Sequence, residues 1–264
     1  LGFGRAAPGT TRSPSGRRVV ARYFFLDRST IKKDRAYITG GEARHIAAVL
    51  RMRSGDAICL VDQEGWAYRA VIHGANAQRV EVMLLERRPP EESPSRSVIL
   101  GQALPRFQKM DYIVQKATEL GVSRIIPFLS SRSIDRANAD RLRIKRLRWQ
   151  KIAREATKQC GRKQVPLVEK VSSFHDVVRS DRENSLKIIL WEDEKKKGFK
   201  EVISRGRHYE NAIVLVGPEG GFSPGEIEWA EGCGYQPVSL GVHIMRTETA
   251  ALYVLSILHY EGVE

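Results

Sequence analysis

Two short stretches near the end of the chain concentrate residues that could do chemistry. The first, Gly217-Pro-Glu-Gly-Gly-Phe-Ser-Pro-Gly-Glu, follows the apolar run Ala212-Ile-Val-Leu-Val. Gly217, Gly220 and Gly221 permit positive φ and let a ligand approach bare backbone. Ser223 suits a helix N-cap, Pro224 the first helical position, and Glu226 completes a capping box. A helix amino terminus with free N–H groups should therefore face the turn. The second stretch is Ser239-Leu-Gly-Val-His-Ile-Met-Arg-Thr-Glu-Thr-Ala. Thr247 can cap the last helix, and Glu248 in its first turn suits the helix dipole. Capping does not account for Arg246 beside Ile244 and Met245, because a buried strand should not run into a cation unless that cation serves a site. Common phosphate fingerprints fail. There is no GxGxxG, and although Gly220 to Gly225 has P-loop spacing, Glu226-Ile stands where Lys and Ser or Thr are required. Taken alone, the first stretch could be a tight turn and nothing more.

The elements that must position these turns alternate between strand and helix. Ser97–Leu104 reads as a strand. A helix over about Gln108–Leu120 places Met110, Ile113, Val114, Ala117 and Leu120 on one face, with Gly121 at its C-terminal cap. Val122–Phe128 is a second strand, and a long helix covers roughly Asn138–Cys160. Short extended and helical pieces are expected at Val165–Val171 and Ser173–Val178. Then come strand 186–191, strand 212–216, helix 224–232, strand 237–240 and helix 248–260. Strands so rich in Ile, Val and Leu suggest a parallel sheet covered on both faces. Turns at the carboxyl ends of such strands are where an open α/β sheet builds a ligand pocket.

Upstream the pattern changes. From Val19 to about Arg88 four short apolar runs (Arg22–Leu26, Asp56–Asp62, Trp66–Ile72 and Arg79–Leu85) are separated by turn signals, with one short helix at Glu42–Leu50. They read as a small β-barrel. Residues 89–96, with three prolines among Glu and Ser, read as a linker. Residues 1–18 carry Arg5, Arg12, Arg17 and Arg18, no acid, and much Gly, Pro, Ser and Thr, the composition of a disordered basic tail.

The chain has 264 residues, and 44 Lys and Arg against 31 Asp and Glu give a net charge of +13. That balance favours polyanions, nucleic acid before anionic membrane. No run of about 18 apolar residues exists to span a bilayer. Cys59, Cys160 and Cys233 are scattered and form no ligand spacing with the six histidines, so neither a metal site nor a disulfide framework is expected, and a reducing cytoplasm fits.

The two C-terminal turns resemble those of the RsmE family of 16S ribosomal RNA uridine methyltransferases, in the SPOUT superfamily. So do Ala103-Leu-Pro, Lys109-Met-Asp, Gln115-Lys-Ala-Thr-Glu-Leu-Gly-Val and Arg148–Arg162. In the first domain, Arg22-Tyr-Phe-Phe and His45-Ile-Ala-Ala-Val-Leu-Arg are similar as well. One position departs from the pattern: the family usually carries Arg where this chain has His243.

The resemblance implies an α/β chain whose C-terminal domain, 97–264, is a trefoil-knotted methyltransferase fold, preceded by a PUA-like β-barrel domain over 19–88 that binds RNA. It implies S-adenosylmethionine held by three segments: Leu190, Trp191 and Glu192; Val216, Gly217, Pro218, Glu219, Gly220 and Gly221; and Ser239, Leu240, Gly241, His243, Ile244 and Met245, with Thr249 beyond. The reaction would be methyl transfer to N3 of a uracil in the small ribosomal subunit, and a homodimer is implied. Arg246 could stabilise negative charge on the uracil carbonyls, and Glu248 could act as base or only cap its helix. No metal is needed, because the donor is a sulfonium.

An RNA surface has a sequence signal of its own. From Arg136 to Lys163 there are eleven basic residues against Asp140 and Glu155. With Leu142, Ile152, Ala156 and Cys160 as the buried stripe, the other helix faces would present positive charge to phosphates. Candidate RNA contacts are Arg22, Tyr23, Lys109, Arg132, Arg148, Arg154 and Arg162. Two other readings stand beside the enzyme: a non-catalytic RNA-binding or assembly protein on a decayed fold, and a related methyltransferase with another RNA target.

Overall fold

The computed structural model describes residues 10–12, 18–20, 23–62, 64–89, 97–106, 109–133, 138–180, 184–195, 197–205 and 209–261. They divide into two compact units, residues 1–91 with 158–164, and residues 92–157 with 165–264.

In the first unit, β1 (Thr10–Arg12), within the stretch 1–18 expected to be a disordered tail, pairs antiparallel with β2 (Arg18–Val20), which begins at the end of that stretch. The rest of that stretch, Arg22, and the linker beyond Pro89 lie outside the described residues. Next come β3 (Tyr23–Phe25), β4 (Arg35–Thr39), α1 (Gly40–Arg44), β5 (Ala57–Val61), β6 (Ala67–Ala75) and β7 (Arg79–Arg88). The last five strands form one sheet in the order β3-β5-β6-β7-β4, with β3 parallel to β5 and the other pairs antiparallel. Period-2 alternation builds its core: Tyr68, Ala70 and Ile72 on β6 and Val80 and Val82 on β7 are buried. β4 was not expected from the sequence, and its buried residues are Ala36 and Ile38. The helix expected over Glu42–Leu50 splits into α1 and a π-helical turn at 45–49. Asp62 is buried and fixes the Glu64–Gly65 turn by accepting hydrogen bonds from the Glu64 and Trp66 N–H groups and the Tyr68 hydroxyl.

The second unit runs β8 (Ser97–Ala103), α2 (Lys109–Glu119), β9 (Arg124–Leu129), α3 (Ala139–Cys160), β10 (Leu167–Val168), β11 (Ser172–Ser173), α4 (Phe174–Arg179), β12 (Ser185–Leu190), α5 (Phe199–Arg205), β13 (Asn211–Val216), α6 (Pro224–Gly232), β14 (Gln236–Val238) and α7 (Thr247–Glu261). Its sheet has the order β10-β9-β8-β13-β12-β14, β11 also pairs with β9, and every pair is parallel. Adjacent residues on each strand serve opposite faces. Leu100, Ile188 and Val214 pack with α2, α3, α5 and α7, whereas Ile99, Ile189 and Ile213 pack with α4 and α6. That two-sided burial is why these strands are near-continuous apolar runs.

On α2 the expected face is buried at Met110, Ile113, Val114 and Ala117, with Leu120 half-buried, and Gly121 ends the helix at φ +89°. On α3 the buried stripe differs from expectation: it is Trp149, Ala153, Ala156 and Thr157, while Leu142 and Ile152 are half-buried and Cys160 is exposed. Trp149 is the larger anchor, and its indole N–H is satisfied by Asp111 at 3.1 Å, so the helix rotates to seat it.

Candidate active site

Three neighbouring strands end at one level. Leu190 closes β12, Val216 closes β13 and Val238 closes β14; Ile189 pairs with Leu215 and Leu190 with Val238. β12 lies between the other two, so the turns that leave all three meet over one edge of the sheet. They enclose a cavity of about 320 Å³.

Each turn is pinned by backbone and side-chain bonds. After β12, the Trp191 N–H donates to Val238 O at 3.0 Å, and the Ser239 N–H donates to Lys197 O at 3.1 Å. After β13, the Gly221 N–H donates to Pro218 O at 3.0 Å and Gly221 takes φ +66°. A Cβ there would run into the Glu192 carboxylate, and one at Gly217 would press on the Phe222 ring at 3.3 Å. Gly221 is thus favoured by its positive φ as well as by close approach, and Gly217 by close approach alone. The capping box at the start of α6 is present, Ser223 with Glu226. Glu226 is buried and also accepts from the N–H and hydroxyl of Ser131, tying the loop after β9 to the glycine turn. Burial alone would push its carboxyl up; the hydrogen bonds from Ser223 and Ser131 outweigh it and hold the group below the ordinary glutamate value. Arg132, from the same loop, donates to Gly220 O at 2.7 Å.

The cavity wall contains the residues expected from sequence at Leu190 to Glu192, Val216 to Glu219, Gly221, Ser239 to Gly241 and His243 to Met245, and Arg246 stands with them. Gly220 and Thr249 are not part of the wall. Gly220 is held on Arg132, and Thr249 is exposed on the first turn of α7. Val242, inside the segment Ser239 to Met245, also lines it, and Val238, Thr247 and Ala250 do so without having been anticipated. Thr247 is buried and its hydroxyl donates to Gly217 O at 2.6 Å, joining the two C-terminal turns. Val242 is 94% exposed and Ile244 86% exposed, so the lip of the cavity is apolar surface in water.

Glu248 is not in the cavity wall. Lys109 Nζ lies 3.2 Å from its Oε2 and 3.0 Å from Glu219 Oε1. The ammonium is held above its ordinary value, chiefly by the Glu219 hydrogen bond and then by Glu248. For Glu219 burial raises and the bonds from backbone, Lys109 and the Arg106 N–H lower, with a net lowering. Lys109 and Glu219 therefore hold each other as an ion pair near neutral pH, with Glu248 Oε2 3.2 Å from the ammonium.

The chain is similar to known proteins in sequence and fold. The RNA methyltransferase domain family matches residues 91–259, and the RNA methyltransferase PUA domain family matches residues 38–85. A ribosomal RNA small subunit methyltransferase E from Bacillus subtilis is 32% identical over 246 residues, which is 91% of this chain and 96% of that protein. The chain belongs to the RsmE family. The RsmE protein of Mesomycoplasma hyopneumoniae is 30% identical over 83% of this chain and 91% of its own. A crystal structure of RsmE from Neisseria gonorrhoeae bound to S-adenosyl methionine superposes with TM-score 0.80 at 28% identity, covering 91% of this chain and 97% of that one.

In this RsmE chain the basic residues expected to meet RNA have varied surroundings. Lys109 is engaged by Glu219 and Glu248, Arg132 by Gly220, and Arg148 by Asp111. Arg154 is exposed on α3, and Tyr23 is half-buried on β3. Burial lowers the Arg162 guanidinium from its ordinary value. Charge counting in the sequence reveals cations but not the carboxylates or carbonyls that already hold them.

Proposed function

We propose that this chain is an S-adenosylmethionine-dependent methyltransferase acting on small-subunit ribosomal RNA, and that its target is N3 of a uridine. The observation that carries the reading is the cavity over β12, β13 and β14, in a chain whose relative was crystallised with that donor.

The residues fit the donor. Leu190, Val216, Leu240 and Met245 offer apolar surface to an adenine, and the turns add backbone polar groups. Glycines at 217 and 221 leave room where a Cβ would crowd the Phe222 ring or the Glu192 carboxylate. The Glu192 carboxylate, on the same wall, can meet ribose hydroxyls or the donor's positive charge. When bound, S-adenosylmethionine supplies an electrophilic methyl on sulfur. Uracil N3 carries a proton and is a weak nucleophile until that proton leaves. Arg246 at the cavity wall can stabilise the negative charge that then spreads onto the uracil oxygens. Glu248, bound to Lys109, serves better as the partner that orients this ammonium than as a free base. A target base must leave its stack to reach the cavity. Val242 and Ile244 at the lip can receive its flat face.

The first unit, matched to a PUA domain of RNA methyltransferases, would grip RNA, and α3 would add phosphate contacts. The reading also includes a trefoil knot in the second unit, a homodimer whose two subunits share the RNA, and a cytoplasmic setting. Among the described residues no helix is long and apolar enough to cross a membrane. The test is incubation of the purified chain with labelled donor and unmodified small subunits, followed by mass spectrometry of the RNA nucleosides. Label in 3-methyluridine is expected. Donor binding without any methylated uridine would move the target elsewhere, and no donor binding by folded protein would favour a non-catalytic RNA-binding role, for which His243 in place of the family's Arg is the supporting feature. Gel filtration giving only monomer at micromolar concentration would reject the dimer.

A further inference from the structure

A buried glutamine lies behind the cavity and is not part of its wall. Gln102 on β8 is fully buried, and its neighbour in register on β13 is Val216, the residue that leads into the glycine turn. Its Nε2 donates to Ala103 O at 3.0 Å and to Thr247 Oγ1 at 2.9 Å. Thr247 is 5% exposed, and its hydroxyl donates to Gly217 O at 2.6 Å.

The direction of each bond is forced. A hydroxyl has one hydrogen, and a carbonyl oxygen has none. Thr247 must spend its hydrogen on Gly217 O, so its oxygen can only accept from Gln102. Ala103 O likewise accepts only. Both amide hydrogens of Gln102 are therefore committed, and its amide cannot flip without setting an oxygen against two acceptors.

One observation makes this more than a packing detail. Gln102 Oε1 is buried and has no hydrogen-bond partner among the described residues. An orphaned buried carbonyl is unfavourable, and an apolar side chain of the same length would avoid it. The amide is a poor choice for the core and a good one for orienting the Thr247 hydroxyl. We infer that Gln102 is a positioning residue for the donor site, acting through Thr247 to fix the Gly217 carbonyl and so lock the turn after β13 to the start of α7. Gly217 and Thr247 line the cavity, while Gln102 is not part of its wall. Loss of the relay frees the Gly217 peptide to rotate, and the cavity wall loses its set position.

This rests on the donor reading above, and the experiment separates the two. S-adenosylmethionine is titrated calorimetrically into the wild type, Gln102→Met, Thr247→Val and Thr247→Ser, with thermal melts to establish that each is folded. Met keeps the length of Gln, and Val keeps the shape of Thr. We expect Kd to rise about tenfold or more in Q102M and T247V, with T247S recovering most of the affinity because it keeps the hydroxyl. Under turnover the KM for donor should rise in the same order while the KM for RNA stays put. Should Q102M fail to fold, T247V against T247S carries the comparison. If the wild type itself does not bind, the donor reading falls and the relay with it. If the wild type binds and the folded variants bind within twofold of it, or if T247S is as weak as T247V, the relay alone is overturned.

Discussion

Replacing Glu226 by Gln tests how the glycine turn is held. Its Oε1 accepts from the Ser131 N–H at 2.8 Å. Its Oε2 accepts from the Ser131 hydroxyl at 2.8 Å, the Ser223 N–H at 2.9 Å and the Ser223 hydroxyl at 3.0 Å. All four partners donate, so a carboxylate satisfies them and an amide cannot. The amide oxygen of Gln would take the crowded Oε2 position, leaving its NH₂ against the Ser131 N–H. One N–H without an acceptor costs about 1–3 kcal/mol, and each remaining bond loses about 1 kcal/mol as it ceases to be charge-assisted. The serine hydroxyls can rotate and Ser131 is exposed to water, which recovers about half. The expected loss is about 2–3 kcal/mol, or a fall of about 5–10 °C in Tm. pH adds a second test. The folded pKa of Glu226 lies below the unfolded value, so its contribution is complete above that unfolded value of about 4.3 and disappears as pH falls through the lower folded value. Gln does not titrate. Urea unfolding of both proteins from pH 7 down to pH 3 should show a difference that narrows in acid. A difference below about 0.5 kcal/mol at pH 7, or one that does not change with pH, would refute the reasoning.

Three further outcomes follow from the site. Gly221→Ala should weaken S-adenosylmethionine binding about tenfold or more in calorimetry, because its Cβ meets Glu192 at a positive φ; unchanged affinity would mean the turn has slack. Arg246→Ala should lower kcat about 10²–10³-fold with donor Kd little changed, and a loss confined to donor Kd would give Arg246 a binding role instead. Arg154→Ala should reduce the slope of log K against log salt for RNA binding by about one unit, and Arg148→Ala by less, since Arg148 is already paired with Asp111; equal slopes would place α3 off the RNA.

Much of this was legible in the sequence because it is local. The apolar runs at 97–103, 185–190 and 211–216 are strands, and Ser223-Pro224 with Glu226 is the capping box that the spacing announces. The two turns that line the cavity could be read because glycine and Arg246 interrupt apolar strand ends. What was missed is non-local or short. Phe199–Arg205 is a helix of seven residues with two β-branched members, too brief to set a period. The expected α3 stripe shares Ala156 with the buried one but is turned by about one residue, because Trp149 and its bond to Asp111 decide the rotation. The Gln102–Thr247 bond joins residues 145 apart, and a lone Gln in a strand gives no warning of it. The cations at 109, 132 and 148 were visible as charges, but their partners come from other elements.

The level ends of β12, β13 and β14 also fix when the cavity can exist. β12 and β13 are made first, but β14 and the turn that follows it, residues 236–246, come some twenty residues later, and Thr247 follows them. A nascent chain emerging from its amino terminus has two walls of the cavity and lacks the third until those residues are free to pair. Donor binding therefore waits on residues 236–247, whatever has folded before them. A chain stopped before β14 lacks one of the three strand ends that frame the cavity.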